Sequence, residues 1–536
     1  EVINKNPYIL VNDISGIGFK TADQIAFKLG VGLESEERIE AGLKYYLNIS
    51  LNNGHTCLPK IILEEKLKEL LNIDKNLIEN IIIKSELKRE IIQEKIYNKE
   101  IIYLNKYYYA ENYVAKKILQ LSTVIEEEDT INEQISNVEK ETNIILAENQ
   151  KKAVKEALTR GVLIITGGPG TGKTTIINII LRLLKNQDLE VELCAPTGRA
   201  SKRMAESTGF ESKTIHRLLG LNSETENYMQ GMEKNEDNPI EADVIIVDES
   251  SMIDLMLMHS LLKAIADGTR LILVGDVDQL PSVGAGNVLK DIINSECIKT
   301  IYLTEIFRQG QESAIITNAH KINKGIYPIL NVKEKDFFFI QRKNINDIIN
   351  IILDLVDRRI PNFLKCNKVR DIQVLTPMRK SQLGINNLNN LLQEKLNPKS
   401  KNKQEYIFRG TIFRQGDKVM QIKNNYNTPW LVYDDVRKKL DEGIGVFNGD
   451  EGIIKNIYVD EELMEVEFYN NKTVYYSFSQ LDEINLSYAL TIHKSQGSEY
   501  KVVIIPIHSG PYMLFTRNLL YTAVTRGKEL VVIVGI

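Results

Sequence analysis

The sequence predicts an α/β protein with two α/β domains, a helical region ahead of them and a small antiparallel barrel inserted in the second. Three observations carry this. Seven short, β-branched apolar runs end in polar or glycine-rich turns, and a long interval splits them into four and three. Residues 1 to about 120 place apolar side chains at helical spacing instead. Residues 410–481 alternate, or run short, between Asn, Gly and Asp turns.

The helical region gives way to the acidic stretch "VIEEEDTINEQ", a run of like charge that solvates better than it packs, so the N-terminal region is taken as 1–140. The first group of runs is "VLIITGG", "VELCAPT", "DVIIVDE" and "LILVGD". Runs this short and apolar throughout are strands buried on both faces, as in a parallel sheet covered by helices. They define a first α/β domain over 141–305, within which the polar residues 221–241 form a long loop or protruding hairpin. The second group, "DIQVLTP", "KVVIIPI" and "ELVVIVG", defines a second domain over 306–400 plus 482–536. Between its two parts, 401–481 holds "GDKVMQI", "NGDEGIIKNIY", "LMEVEFYN" and "KTVYYSFSQL", the antiparallel barrel. No internal repeat is visible.

Composition narrows the class. At 536 residues, 43% hydrophobic and 26% charged, the chain has material for several cored domains. No apolar run reaches the roughly 18 residues of a membrane span, and no secretory signal opens the chain, so a cytoplasmic protein with no membrane partner is expected. The first residue is Glu1 rather than Met, which leads us to expect a further N-terminal segment. Cys57, Cys194, Cys297 and Cys366 are scattered without CxxC spacing, which predicts neither a zinc site nor a disulfide framework. The net charge of −5 argues against a basic footprint over the whole surface, while 67 Lys and Arg leave room for a local basic groove.

The chemistry begins at "GGPGTGKTT" (167–175), which follows the run "VLIIT" and precedes the helical "IINIILRLL". In that strand–loop–helix setting, Gly168, Pro169, Gly170, Thr171, Gly172, Lys173, Thr174 and Thr175 present backbone N–H groups and a helix N-terminus to phosphates. Lys173 is then the bridge to the β- and γ-phosphates of ATP, and Thr174 a ligand of Mg²⁺. In "DVIIVDES", Asp248 ends a strand where it can hold the metal through water, and Glu249 can polarise an attacking water. Acidic residues at strand ends are also common turn formers, so this pair draws its weight from the phosphate loop upstream. Gln279, in "GDVDQLPSVGAG", stands where a γ-phosphate sensor could sit or where an ordinary polar loop could run. Arg308 in "LTEIFRQG" and Arg526 in "YTAVTRGKE" suit transition-state stabilisation, or simply a charged surface.

Taken together and in order, these blocks resemble those of superfamily 1 helicases, and more closely the RecD-like branch, the exodeoxyribonuclease V alpha-subunit family that moves 5′ to 3′. The matching blocks are "LAENQKKAV", "GGPGTGKTT", "APTGRAS", "TIHRLL", "DVIIVDESSMID", "GDVDQLPSVGAGNVL", "LTEIFRQ", "VLTPMRKSQLGINNLN", "LTIHKSQGSEY" and "LLYTAVTRGKE", spanning 146–530. "NPYILVNDISGIGFKTADQIAFKLG" and "GHTCLP" are similar to the helical region of the longer, stand-alone members. The resemblance implies two RecA-like P-loop motor domains, a helical N-terminal domain and a small SH3-like β-barrel insert. It also implies that the domain preceding the helical region in longer relatives is absent from this chain. No nuclease motif is apparent.

Roles follow position by position. Gln150 resembles the adenine-reading glutamine, and Gly497 and Glu499 match positions near the nucleotide. Lys173, Thr174, Asp248, Glu249, Gln279, Arg308 and Arg526 match the ATPase machinery. Pro196, Thr197, Arg199, Thr214 and His216 match the DNA-facing edge of the first motor domain, and Thr376, Pro377, Thr491, His493 and Lys494 that of the second. Residues 221–241 occupy the place of the strand-separating pin, with Tyr228 and Met229 as the candidate wedge. The turn at Ile14 to Gly18 has the helix-hairpin-helix pattern, in which Gly16 and Gly18 either meet a DNA phosphate or pack internally. The implied protein is a monomeric, ATP- and Mg²⁺-dependent helicase of repair or recombination, acting on single-stranded and 5′-tailed duplex DNA. A translocase that does not unwind, one that works on RNA, and a subunit of a multi-chain complex remain open on the sequence.

Overall fold

The N-terminal apolar spacing folds into the helices Phe19–Lys28, Glu36–Asn52, Lys60–Leu71 and Lys75–Leu87. The structure is a computed structural model describing residues 6–13, 17–124, 130–220, 232–306, 312–332, 335–434, 438–469, 471–508, 510 and 515–536. Ser35 starts the second of these helices by accepting from Arg38 N at 3.3 Å, and Asp74 starts the fourth by accepting from Asn76 N at 2.8 Å. Their apolar faces close around Phe19, Ile39, Leu43, Leu63, Leu67 and Ile78. Arg38 is buried among them. Its Nε and Nη2 donate to Asp23 at 2.9 and 3.1 Å, and its Nη1 donates to the carbonyls of Leu33 and Leu71 at 2.8 and 3.0 Å. Three helices are thereby tied to one guanidinium, a geometry its planar fork of donors allows.

Periodicity predicts helices alone for this region. The structure adds an antiparallel sheet of β1 (Cys57–Pro59), β2 (Ile91–Ile96) and β3 (Lys99–Leu104), in the order β1-β3-β2. The β2–β3 turn has Tyr97 and Asn98 both left-handed, at φ 46° and 64°, the twist that suits a two-residue hairpin. Because the turn has no glycine, it gives no sequence signal. Of the expected helix-hairpin-helix turn, Ile14, Ser15 and Gly16 lie outside the described residues. One compact unit holds Glu1–Gln120 together with Ile253–Leu262 and Pro281–Ile292.

The other unit holds the remaining chain and is built on two parallel sheets. The first comprises β4 (Val162–Gly167), β5 (Val191–Ala195), β6 (Ser212–Thr214), β7 (Val244–Val247), β8 (Arg270–Gly275) and β9 (Thr300–Leu303), in the order β6-β5-β7-β8-β4-β9. All its pairings are parallel. Ile131, Ile135 and Val138 of the helix Ile131–Thr142 share its core with Ile176, Ile180 and Leu184 of the helix Lys173–Asn186.

The second sheet contains β10 (Phe337–Gln341) and β11 (Ile372–Thr376). Between β11 and its later strands run a hairpin, β12 (Glu405–Phe408) with β13 (Thr411–Arg414), and then the strands of an antiparallel sheet. These are β14 (Lys418–Gln421), β15 (Asn425–Tyr433), β16 (Lys439–Val446), β17 (Glu451–Tyr458), β18 (Leu463–Phe468), β19 (Lys472–Ser477) and β20 (Ile484–Leu486), in the order β16-β15-β19-β18-β17-β14-β20. The chain then completes the parallel sheet with β21 (Ala489–Thr491), β22 (Tyr500–Ile507) and β23 (Gly527–Gly535), giving β10-β23-β22-β11-β21. Insert and parallel sheet share one core, in which Ile372 and Val374 lie with Phe413, Val419, Met464 and Tyr476. A shared core transmits displacement where a flexible tether would absorb it.

Candidate active site

The turn after β4 carries the phosphate loop. Gly172 caps the helix Lys173–Asn186 at φ 79°, a left-handed position that glycine takes without strain. Gly168 is closely approached by the second sheet's side chains. A Cβ there would lie 2.8 Å from His320 Cε1 and 2.9 Å from Tyr521 Oη, both from helices of the second sheet. Lys173 Nζ donates to the loop's own carbonyls at Gly167 and Gly168, at 2.6 and 3.0 Å. Gln150, expected to read adenine, is buried; its Nε2 donates to Thr171 O at 3.0 Å and its Oε1 accepts from Ala147 N at 3.0 Å. Its amide braces the loop from behind.

A cleft of about 380 Å³ opens in front of the loop, lined by Gly168 to Thr174, Arg203, Asp248, Glu249, Gln279, Glu499 and Arg526. Asp248 and Glu249 come from the end of β7. Burial first, and then the neighbouring Glu249 charge, push the Asp248 carboxyl up to about 6. Burial alone would raise Glu249 as well, but the charges of Arg203, Arg526 and Lys173 outweigh it and hold this carboxyl below its usual range. Glu249 also has φ 52°, a left-handed backbone that a non-glycine residue adopts only where its surroundings enforce it.

Gln279 follows β8. Its Nε2 donates to Asp276 Oδ2 at 3.1 Å, while its Oε1 is buried without a hydrogen-bond partner among the described residues. The second sheet grips this turn, because Leu280 N donates to Thr522 Oγ1 at 2.9 Å and Gln496 Nε2 donates to Leu280 O at 2.8 Å. Tyr521 Oη donates to Asp276 at 2.7 Å. Arg526 is buried, with its guanidinium on neutral oxygens: Thr522 O at 3.2 Å, Ser498 O at 3.1 Å and Thr525 Oγ1 at 3.2 Å. Among the described residues no carboxylate forms an ion pair with it, so its positive charge acts across the cleft on Glu249 and Glu499. Arg308 lies outside the described residues.

The other expected residues sit at strand ends away from this cleft. Thr197 follows β5 and caps the helix Gly198–Thr208, accepting from Ala200 N at 3.2 Å, with Pro196 beside it. Thr214 ends β6 and caps the helix Ile215–Leu218, on which His216 is half-buried. Thr376 is buried at the end of β11 and donates to Leu383 O at 2.7 Å, and Pro377 is buried after it. Thr491 ends β21 and accepts from Lys494 N at 3.3 Å. His493 and Lys494 are half-buried, and both are held below their usual pKa by burial and by the Arg379 charge. Thr175 lies in the first turn of the phosphate-loop helix.

Two positions differ in surroundings from what the motif order suggests. Gly497, at φ 70°, abuts the first sheet's helix: a Cβ there would lie 3.0 Å from Thr197 Oγ1. Arg199 turns inward, with Nη2 2.8 Å from Glu451 and Nη1 donating to Ser498 Oγ and Tyr500 Oη at 2.7 and 3.0 Å. Of the pin segment, 221–231 with Tyr228 and Met229 lies outside the described residues.

Thr174 and Asp248 line one cleft, and the raised Asp248 carboxyl is the kind of group that a divalent cation beside it would stabilise as the anion, so the donor set fits Mg²⁺. Phosphate loop, paired carboxylates, glutamine and arginine facing one cleft between two parallel sheets define a P-loop nucleoside triphosphatase with a two-sheet motor core.

Comparison with known proteins gives the family. Residues 1–57 match the model of the ATP-dependent RecD2 DNA helicase HHH domain, 150–285 that of an AAA domain, 388–468 that of the ATP-dependent RecD-like DNA helicase SH3 domain, and 486–534 that of the UvrD-like helicase C-terminal domain. The ATP-dependent RecD2 DNA helicase of Deinococcus radiodurans is 32% identical over 530 residues, covering 97% of this chain and 68% of that protein. The RecBCD enzyme subunit RecD of Mycobacterium tuberculosis is 28% identical over 479 residues, 82% of this chain and 77% of that one. A solved Pif1 helicase from Candida albicans has a TM-score of 0.43 and 19% identity, covering 73% of this chain and 95% of that one. The chain belongs to the RecD-like ATP-dependent DNA helicases of superfamily 1. No helix among the described residues is long and apolar enough to cross a membrane.

Sequence reasoning missed Arg203, Gln496, Tyr521 and Thr522. One signal was available: Arg203 stands four residues after Arg199 on one helix, so both project from the same face.

Proposed function

We propose that this chain is a cytoplasmic motor that moves 5′ to 3′ along single-stranded DNA and separates duplex ahead of it, with Mg·ATP bound between its two parallel sheets. The observation that carries this reading is the convergence on one cleft of Lys173, Asp248 and Glu249 from the first sheet with Arg526 and Glu499 from the second. Backbone amides of the phosphate loop and Lys173 receive the phosphates. Thr174 and Asp248 would hold Mg²⁺, which would supply neutralisation of phosphate charge. Glu249 and Gln279 orient water. The water oxygen bonds to the γ-phosphorus, the bond to the β–γ bridging oxygen breaks, ADP leaves, and the water proton passes to Glu249. Arg526 offsets the charge that develops, so hydrolysis depends on the second sheet being in place.

The DNA side is read from the strand ends. Pro196, Thr197, Thr214 and His216 on one sheet and Thr376, Pro377, Thr491, His493 and Lys494 on the other form the edge along which a single strand would run. The β21–β22 connection contributes to both faces: Thr491, His493 and Lys494 toward this edge, Gln496 to the Gln279 turn and Glu499 to the cleft. A second reading, a motor subunit of a multi-chain complex, is favoured by the likeness to the mycobacterial RecBCD subunit. The two readings separate in an ATPase assay of the isolated chain. Single-stranded DNA is expected to stimulate phosphate release with no other polypeptide present; no stimulation at any strand length favours the subunit.

A further inference from the structure

One ion-paired chain crosses the cleft, and two of its members, Arg203 and Lys528, have no place in the machinery above. Arg203, on the helix Gly198–Thr208, donates from Nη2 to Glu249 Oε1 at 2.6 Å and from Nη1 to Glu499 Oε1 at 2.8 Å. The other oxygen of Glu499 lies 3.0 Å from Lys528 Nζ, on β23. Glu249, Arg203, Glu499 and Lys528 thus alternate in sign from the first sheet to the second, and all four line the nucleotide cleft. Among the described residues Arg203 is the one hydrogen-bond partner of the Glu249 carboxylate, whose side chain is 8% exposed. The Glu249 backbone is left-handed at φ 52°, and the Arg203 contact is the hydrogen bond that holds its carboxylate.

We propose that Arg203 is a positioning residue for ATP hydrolysis: its guanidinium orients Glu249 toward the attacking water and makes that orientation depend on Glu499 of the second sheet. The proposal rests on the ATPase reading of the cleft. Two N–H groups of one planar fork satisfy two carboxylates from different sheets, whereas a lysine ammonium is a single point charge without that fork. Arg203 is separate from Arg526, which carries charge toward the phosphates. Among the described residues the Arg203 guanidinium donates to the carboxylates of Glu249 and Glu499, so its loss is expected to act mainly on turnover.

The test measures DNA-stimulated hydrolysis by the full chain as parent, Arg203→Ala, Arg203→Lys, Glu499→Gln, the Arg203→Ala/Glu499→Gln double variant and Lys173→Ala. Thermal midpoints show that each variant is folded, and binding of a fluorescent ATP analogue to the Arg203 and Glu499 variants shows that their cleft is intact. Arg203→Ala is expected to lower kcat about 10–100-fold, by analogy with partners that hold metal-site ligands in place, with KM for ATP within about threefold of the parent. Arg203→Lys should recover only part of the loss. Glu499→Gln should lower kcat less than Arg203→Ala, and the double variant should be no slower than Arg203→Ala alone, because both changes break one chain of contacts. A kcat for Arg203→Ala within twofold of the parent overturns the proposal. So does a loss that appears wholly in KM, or a double variant whose defects multiply. Lys173→Ala separates the two readings. If Lys173→Ala still hydrolyses ATP at the parent rate, the cleft assignment fails and the Arg203 role with it. If Lys173→Ala is inactive while Arg203→Ala turns over normally, only the Arg203 role fails. Should Arg203→Ala not fold, Arg203→Lys and Glu499→Gln decide by the same kcat criterion.

Discussion

Lys173→Ala is expected to cut ATP turnover on the order of 10²–10³-fold, the loss seen when one preorganised electrostatic contact to a developing charge is removed, while single-stranded DNA still binds. The cleft holds several positive groups, but Lys173 is the one borne by the phosphate loop, and the loop's carbonyls at Gly167 and Gly168 hold its ammonium. Alanine removes the charge and leaves the surrounding sheet unaltered, since the packed face of the helix Lys173–Asn186 is made by Ile176, Ile177, Ile180 and Leu184. The strand-end residues Thr197, Thr214, Thr376 and Thr491 are untouched. Phosphate release and the anisotropy of a labelled single strand measure the two properties separately. Unchanged turnover contradicts the assignment of the loop.

The second large effect falls on stability. Glu451, the first residue of β17, is buried where the insert meets both sheets. It lies 2.8 Å from Arg199 Nη2 and 3.7 Å from Lys418 Nζ, and it accepts from Tyr500 Oη at 3.0 Å. Lys418 is wholly buried and donates also to Gln373 Oε1 at 2.8 Å. Glu451→Ala leaves the buried Lys418 and the partly buried Arg199 without their carboxylate, and breaking a buried pair costs roughly 3–5 kcal/mol. Glu467→Ala is the control: its pair with Lys455 is half-exposed at 3.0 Å, and losing it costs no more than about 1 kcal/mol. Urea unfolding of the parent and the two variants measures the difference; equal midpoints for Glu451→Ala and parent refute the buried role. Arg199→Ala belongs to the same experiment. An arginine facing DNA changes single-strand affinity when removed, whereas one held by Glu451, Ser498 and Tyr500 changes the unfolding midpoint.

What could be read in advance depended on position in the sheets. The seven apolar runs are β4, β5, β7, β8, β11, β22 and β23, and they are the interior strands of the two parallel sheets. The strands of these two sheets that gave no signal, β6, β9, β10 and β21, are the four edges. An interior strand is covered on both faces and reads as an unbroken apolar run, while an edge strand is short or half-exposed. β6 is "SKT" and β21 "ALT", each three residues, and β9 has Tyr302 exposed. The family and the two-sheet core were legible because motif order follows strand ends. The side-chain partners were not. Arg199 and Arg203 are visible as cations on one helix face, but their partners Ser498 and Glu499 lie 299 and 296 residues away in sequence, and no local pattern connects them. Gln150 shows the same limit, since its neighbours on the phosphate loop are fixed by packing.

The central claim is directional unwinding, and strand displacement tests it directly. Duplexes of one sequence carrying a 5′ or a 3′ single-stranded tail are mixed with the purified chain, Mg²⁺ and ATP, and release of the labelled strand is followed in time. The 5′-tailed duplex is expected to open with ATP and to stay closed with Lys173→Ala, and the 3′-tailed duplex is expected to stay closed. Opening of the 3′-tailed duplex alone, or of neither while DNA-stimulated ATPase is intact, contradicts the account.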